Sequence, residues 1–333
     1  MDKKKVTIQD IAEKAKVSKS TVSRVLNKSS LVKEHKRIAV LDAMKLLDFQ
    51  PNQMARSLAG GRSMTIGVLT QDIGSPFYDL VARGVTNAFS ENQYSPIFAD
   101  GKWNADDEEI AIDTLLDRRV DGLILIGGNM AAEELEKIKQ QKPLIVVARK
   151  IAGWESNCIY VDNLKGSYEA TKYLIDCGHK QIAFIAGIET QEDSQLRKMG
   201  FERALNDAGL EIDPALYVSG DFRPASGVAA AETLLATGKP FTAIFASNDE
   251  MAFGARLALY RRDIKVPEQV SLIGFDDQAI SAFMTPPLTS VLQPALEMGE
   301  AAGKTMINLI DSTQLEIPKL TTQLVIRESV SQI

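Results

Sequence analysis

The chain has 333 residues, a formal net charge of −6, 45% hydrophobic residues and 25% charged residues. That balance excludes wholesale disorder and suits two or three globular domains. No apolar run approaches the roughly 18 residues needed to span a bilayer. The N-terminus lacks an apolar h-region, so no secretory signal is expected and the reading is a cytoplasmic protein. Two cysteines, Cys158 and Cys177, and two histidines, His35 and His179, point to no disulfide framework, no metal site and no histidine-based catalysis.

Charge is unevenly distributed. Residues 1–62 hold 14 Lys and Arg against 6 Asp and Glu, whereas the remainder holds 24 against 38. A basic head on an acidic body is the pattern of a nucleic-acid-binding arm. Within the head, Ile8, Ile11, Ala12 and Ala15 recur at helical spacing, with Thr7 placed to cap and Asp10 three residues on. A turn at Lys16–Ser18 leads to a second helix, Lys19–Leu26, with Val22, Val25 and Leu26 inward and Lys19, Ser20, Ser23 and Arg24 outward. That is a helix-turn-helix unit whose outward groups suit a major groove. A third helix, about Glu34 to Leu47, is expected to close the core with Ile38, Leu41, Ala43, Met44 and Leu47. Pro51 opens a short helix ended by Gly60-Gly61, too short to be stable unpacked.

The runs Val6–Ala12, Val17–Asn27, Pro51-Asn52 and Ala55–Gly60 resemble, without gaps, the headpiece of the lactose/galactose repressor family. The resemblance implies that Lys19, Ser20 and Arg24 read base edges. It puts Thr7, Ser18, Thr21, Ser23 and Asn27 at phosphate-contact or capping positions. Asn52, Ala55 and Leu58 would belong to a hinge helix in the minor groove, where an apolar wedge bends the duplex.

Beyond residue 63, strand-like runs alternate with amphipathic helices: Thr65–Thr70, Ser95–Ala99, Gly122–Ile126, Leu144–Val147, Cys158–Val161, Gln181–Ala186, Leu216–Ser219, Ala243–Ala246 and Ser271–Phe275. The alternation predicts an α/β core of two doubly wound parallel-sheet subdomains, with a ligand crevice at the carboxyl ends of the strands. No dinucleotide-binding fingerprint, phosphate loop or nucleophile elbow occurs, so an enzyme is not expected. Asp106-Asp107-Glu108-Glu109 reads as the charged first turn of a helix. In Asp276-Asp277, adjacent side chains on extended chain point opposite ways, so one faces the crevice.

The body is similar to the same family, whose core resembles periplasmic sugar-binding proteins, through Ile73–Tyr78, Arg197–Phe201, Gly220–Phe222, Ala246–Asp249 and Ile273–Asp277. The implied architecture is a headpiece over 1–50, a hinge over 51–62 and a core over 63–333. The core would divide into subdomains of about 63–161 with 293–323, and 163–290 with 325–333. Arg197, Asn248 and Asp276 would hydrogen-bond an effector, Phe77, Tyr78 and Phe222 would wall it, and Arg149 and Gln293 would lie nearby. Trp103 and Trp154 read as structural or rim residues. Ala148 stands where many relatives carry Asp, and Ile126 where some carry a polar cleft residue. The expected function is a homodimeric repressor on a pseudo-palindromic operator, modulated by a hexose or glycoside. The alternative is a corepressor mode using a purine, sugar phosphate or phosphoprotein. No cofactor is expected.

Overall fold

The computed structural model describes residues 6–26, 31–49, 62–90, 92–313 and 316–333. Contacts divide the chain into two units, Met1–Ser63 and Met64–Ile333. The expected hinge helix, with Asn52, Ala55 and Leu58, lies outside the described residues, as does Asn27.

In the first unit, α1 (Ile8–Lys14) begins with a reciprocal cap. The Thr7 hydroxyl accepts from the Asp10 N–H at 3.4 Å, and the Asp10 carboxylate accepts from the Thr7 N–H at 2.8 Å. Lys16, at φ 53°, turns the chain. The Ser18 hydroxyl then accepts from the Thr21 N–H at 3.2 Å as α2 (Lys19–Leu26) starts. Ile11, Ala12, Val22, Val25, Val40 and Ala43 form the core, the last two from α3 (Glu34–Leu46). Here the expectation needs correction, because Ile38 and Leu41 are 50% and 51% exposed. At 100° per residue, Val40, Ala43, Met44 and Leu47 share one face and Ile38 lies nearly opposite. Packing against α1 and α2 selects that face.

The second unit contains two sheets. The first, in order β2-β1-β3-β4-β5, joins β1 (Thr65–Thr70), β2 (Ser95–Asp100), β3 (Gly122–Ile126), β4 (Leu144–Val147) and β5 (Cys158–Ile159), all parallel. The second has the order β11-β10-β9-β8-β6-β7. Its members are β6 (Ile182–Ala186), β7 (Tyr217–Ser219), β8 (Ala243–Ala246), β9 (Ser271–Asp276), β10 (Thr289–Leu292) and β11 (Gln323–Val325). The strand β10 was not expected from the sequence, and β11 pairs antiparallel to it at the sheet edge. Every residue of β3, β4, β6 and β8 is buried, as helices on both faces require.

Helix α4 (Pro76–Phe89) follows β1, α5 (Ala105–Asp117) follows β2, and α6 (Ala132–Lys139) follows β3. In the other half come α7 (Asn163–Asp176), α8 (Glu192–Asp207), α9 (Pro224–Ala236) and α10 (Asp249–Arg261). After β10 the chain returns to the first sheet as α11 (Ala295–Ile310), which packs along α4. Glycines set how closely these two helices approach. A Cβ on Gly84 would sit 2.1 Å from the Leu296 carbonyl oxygen, and one on Gly299 2.0 Å from that of Val81. Gly299→Ala is therefore expected to push the helices apart and cost about 1–3 kcal/mol, read as a lower urea midpoint. An unchanged midpoint would show that the pair relaxes freely.

Candidate ligand cleft and nucleic-acid interface

On α2 the buried Val22 and Val25 leave the opposite face to Lys19, Ser20, Ser23 and Arg24, with Lys19, Ser20 and Arg24 exposed. Ser18 binds two neighbouring hydroxyls as well as the helix N-terminus, Ser20 at 2.8 Å and Thr21 at 2.9 Å. Thr7 and Ser18 thus act structurally as caps, whatever else they contact.

In the second unit a cavity of about 680 Å³ opens at the carboxyl ends of both sheets. It is lined by residues just beyond β1, β3, β4, β6, β7, β8 and β10 and by Asp276 at the end of β9, where a doubly wound fold leaves a crevice. All eight side chains named from the sequence for an effector line it: Phe77, Tyr78, Arg149, Arg197, Phe222, Asn248, Asp276 and Gln293.

Arg197, on α8 and 3% exposed, is its most constrained member. Its Nε donates to Asn163 Oδ1 at 3.0 Å, and Nη1 donates to the Ser247 carbonyl. Asp193 and Asp276 lie 3.7 and 3.8 Å from its guanidinium, which stacks 3.9 Å from the centre of the Phe275 ring. Gln293 donates to Asp276 at 2.6 Å. Burial pushes the Asp276 carboxyl up to about 6, against the pull of Arg197. Its neighbour Asp277 turns away to pair with Arg327 at 2.6 Å.

Asn248 is largely committed to structure. Its Oδ1 accepts from the Met251 N–H, capping α10, and its Nδ2 donates to the Phe222 carbonyl, both at 2.9 Å. Arg149 donates to the Met130 carbonyl at 2.7 Å. From the other side Glu108, 2% exposed, accepts from the Asn129 and Met130 N–H groups. Glu108 does lie in the first turn of α5, as the sequence reading has it, and it also faces inward and clamps the loop after β3.

Trp103 also lines the cavity, edge-on to Tyr78 at 5.6 Å, whereas Trp154 is buried in another cluster beneath Lys139. Asn163 and Asp193 were not named from the sequence, although Asp193 stands four residues before Arg197 on one helix and so within its reach. Ile126 is fully buried, and Ala148 lines the cavity in the left-handed region at φ 61°. Phe222 and Asp276 share that region at φ 67° and 106°.

Residues 7–52 match the bacterial regulatory proteins of the lacI family, and residues 171–330 match the periplasmic binding protein-like domain. Catabolite control protein A of Priestia megaterium is 35% identical over 320 residues, 94% of this chain and 96% of that one. The chain belongs to the LacI family. Its fold superposes on the lac repressor dimer bound to operator and the anti-inducer ONPF with a TM-score of 0.89, at 27% identity over 98% of this chain and 100% of that one. The transcriptional regulator CelR in complex with cellobiose gives 0.72, at 32% identity over 97% and 99%. This LacI-family chain is accordingly a DNA-binding transcriptional repressor and not an enzyme.

Beneath the Asp276 loop of this regulator, Asp249 is fully buried. It accepts from the Ser281 and Ser290 hydroxyls at 2.5 Å each and from the Gln278 N–H at 2.8 Å. Desolvation, then repulsion from Asp276, pushes it from its ordinary 3.8 up to about 8. A raised carboxyl binds more protons in the folded than in the unfolded chain, so its contribution is complete below about 4 and is lost as pH rises towards about 8. Urea midpoints are expected to fall across that window, and to fall less steeply in Asp249→Asn. Equal slopes in the two proteins would refute the assignment.

Proposed function

We propose that a small saccharide, a hexose or glycoside, occupies the cleft and sets the affinity of this repressor for its operator. The carrying observation is the floor of the cavity, where one buried cation is flanked by two carboxylates, with aromatic rings at the walls. Fixed donors and acceptors of this kind suit ring hydroxyls, and the rings suit the apolar face of a sugar. A phosphate would meet Asp193 and Asp276 beside Arg197, which favours a neutral sugar over an anionic corepressor. The cellobiose complex of CelR supports the same choice. Arg197, Asp276 and Gln293 would take hydroxyls, Phe77, Tyr78 and Phe222 would pack on the ring, and Arg149 and Asn248 would hold the loops and walls around it.

In this proposal Lys19, Ser20 and Arg24 read base edges, while Thr7, Ser18, Thr21, Ser23 and Asn27 contact phosphates or cap the helices that do. Asn52, Ala55 and Leu58 form the hinge element in the minor groove. A homodimer on a pseudo-palindromic operator matches two headpieces to two half-sites, and the lac repressor dimer on its operator supports that assembly. The core subdomains are assigned to about 63–161 with 293–323 and 163–290 with 325–333. The protein acts on chromosomal DNA in the cytoplasm.

Three experiments test this. A thermal-shift screen of mono- and disaccharides should yield a stabilising sugar, since a ligand at 100 times its Kd adds about 2.7 kcal/mol. Arg197→Ala and Asp276→Asn should then bind operator yet lose the response to that sugar, and wild-type response midpoints in both would refute the cleft assignment. On DNA, Arg24→Ala should cost about 1–3 kcal/mol and relax discrimination at one base pair. A uniform loss across operator variants would assign Arg24 to phosphate instead.

A further inference from the structure

We infer that the Asp72–Arg223 ion pair is a salt-sensitive latch across the mouth of the cleft, holding its two halves closed and setting how readily a ligand enters and leaves. The inference rests on the cleft being the effector site, but the latch itself is observable without any ligand. Asp72 follows β1 in the first sheet, and Arg223 follows β7 in the second. Arg223 Nη2 lies 3.4 Å from Asp72 Oδ2, 151 residues away, and both residues line the cavity. Among the described residues this is the ion pair that joins the two sheet-bearing halves; every other one stays within a half or within the first unit.

Each end is fixed to a rigid frame that also carries an aromatic wall. Beside Asp72, the Ile73 and Gly74 N–H groups donate to Asp100 and Asp79, both at 3.2 Å, and the chain runs directly into Phe77 and Tyr78 at the start of α4. On the other side the Arg223 N–H donates to Asp221 Oδ1 at 2.9 Å, and the preceding Phe222 is held through its carbonyl by Asn248. Both backbones are tied locally, so an opening of the angle between the sheets beyond the reach of the Arg223 side chain breaks the pair. The side chains are 65% and 31% exposed, so the latch is weak and screened by salt. It shifts an open–closed balance by a factor of about two to five, enough to matter where the two states are close in energy.

Trp103 supplies the readout, because it lines the cavity while Trp154, the second of the chain's two tryptophans, is buried elsewhere. In a Trp154→Phe background without ligand, acrylamide quenching of Trp103 should be weak at about 0.05 M KCl. It should rise towards about 1 M, as the screening length falls to about 3 Å. Arg223→Ala and Asp72→Asn should quench strongly at both ionic strengths, and the swapped pair Asp72→Arg with Arg223→Asp should restore weak, salt-dependent quenching. Quenching in Arg223→Ala that matches the parent at low salt would overturn the latch, as would a swapped pair as open as the single variants. A closed latch in a protein that no sugar stabilises would instead overturn only the effector reading.

Discussion

A guanidinium that is 3% exposed has to have its donors met by the protein, because an unpaired charge held out of water costs several kcal/mol. At Arg197 that requirement draws in residues from beyond the ends of β5 and β8, from the last position of β9 and from its own helix: Asn163, the Ser247 carbonyl, Asp276 and Asp193. Phe275 supplies a ring face under the planar group. Once Arg197 is satisfied, the strand ends of the second sheet are tied to α8, and the floor of the cavity has its shape. The remaining wall positions are arranged around that fixed point.

The surrounding backbone carries a cost of its own. Ala148, Phe222 and Asp276 occupy the left-handed region without being glycine, and all three line the cavity. Such conformations persist only where neighbours over-determine them. For Phe222 the neighbours are Asn248, which holds its carbonyl, and Gly187, where a Cβ would lie 2.0 Å from the ring. For the Asp276–Gln278 turn the support is Asp249, whose carboxyl gathers one backbone N–H and two serine hydroxyls. Gly274 accommodates it, since a Cβ there would come within 2.1 Å of Asp249.

Regulation adds a second requirement. A ligand alters operator affinity only by binding two arrangements of the core unequally. A cavity lined from both sheets meets that condition, because a bound molecule touching Tyr78 on one side and Arg197 on the other has its contacts changed by any change in the angle between the sheets. The glycine-mediated contact of α11 with α4 packs those two helices closely within the first half.

Much of this was legible in the chain itself. Apolar periodicity marks α1 and α2 and nearly every parallel strand, because period 3.6 and short buried runs are local properties. The caps Thr7 and Ser18 were legible for the same reason. Three things were not. The strand β10 is four residues long and polar enough to pass for loop, and only pairing beside β9 makes it a strand. The inward face of α3 was misread because Ile38 and Leu41 are as apolar as Val40, and contact with α1 and α2, not composition, decides which side is buried. Glu108 read correctly as part of a charged first turn, but nothing local told it from its acidic neighbours as the one that the N–H groups of Asn129 and Met130 draw inside. By itself, then, the sequence determined most of the segments that become helix and strand, β10 excepted, and that a basic helix-turn-helix precedes an α/β core. Which polar side chains are pulled out of water to face one another was decided by tertiary structure alone, because their partners lie tens of residues away and the cost of burial is set only when those partners meet.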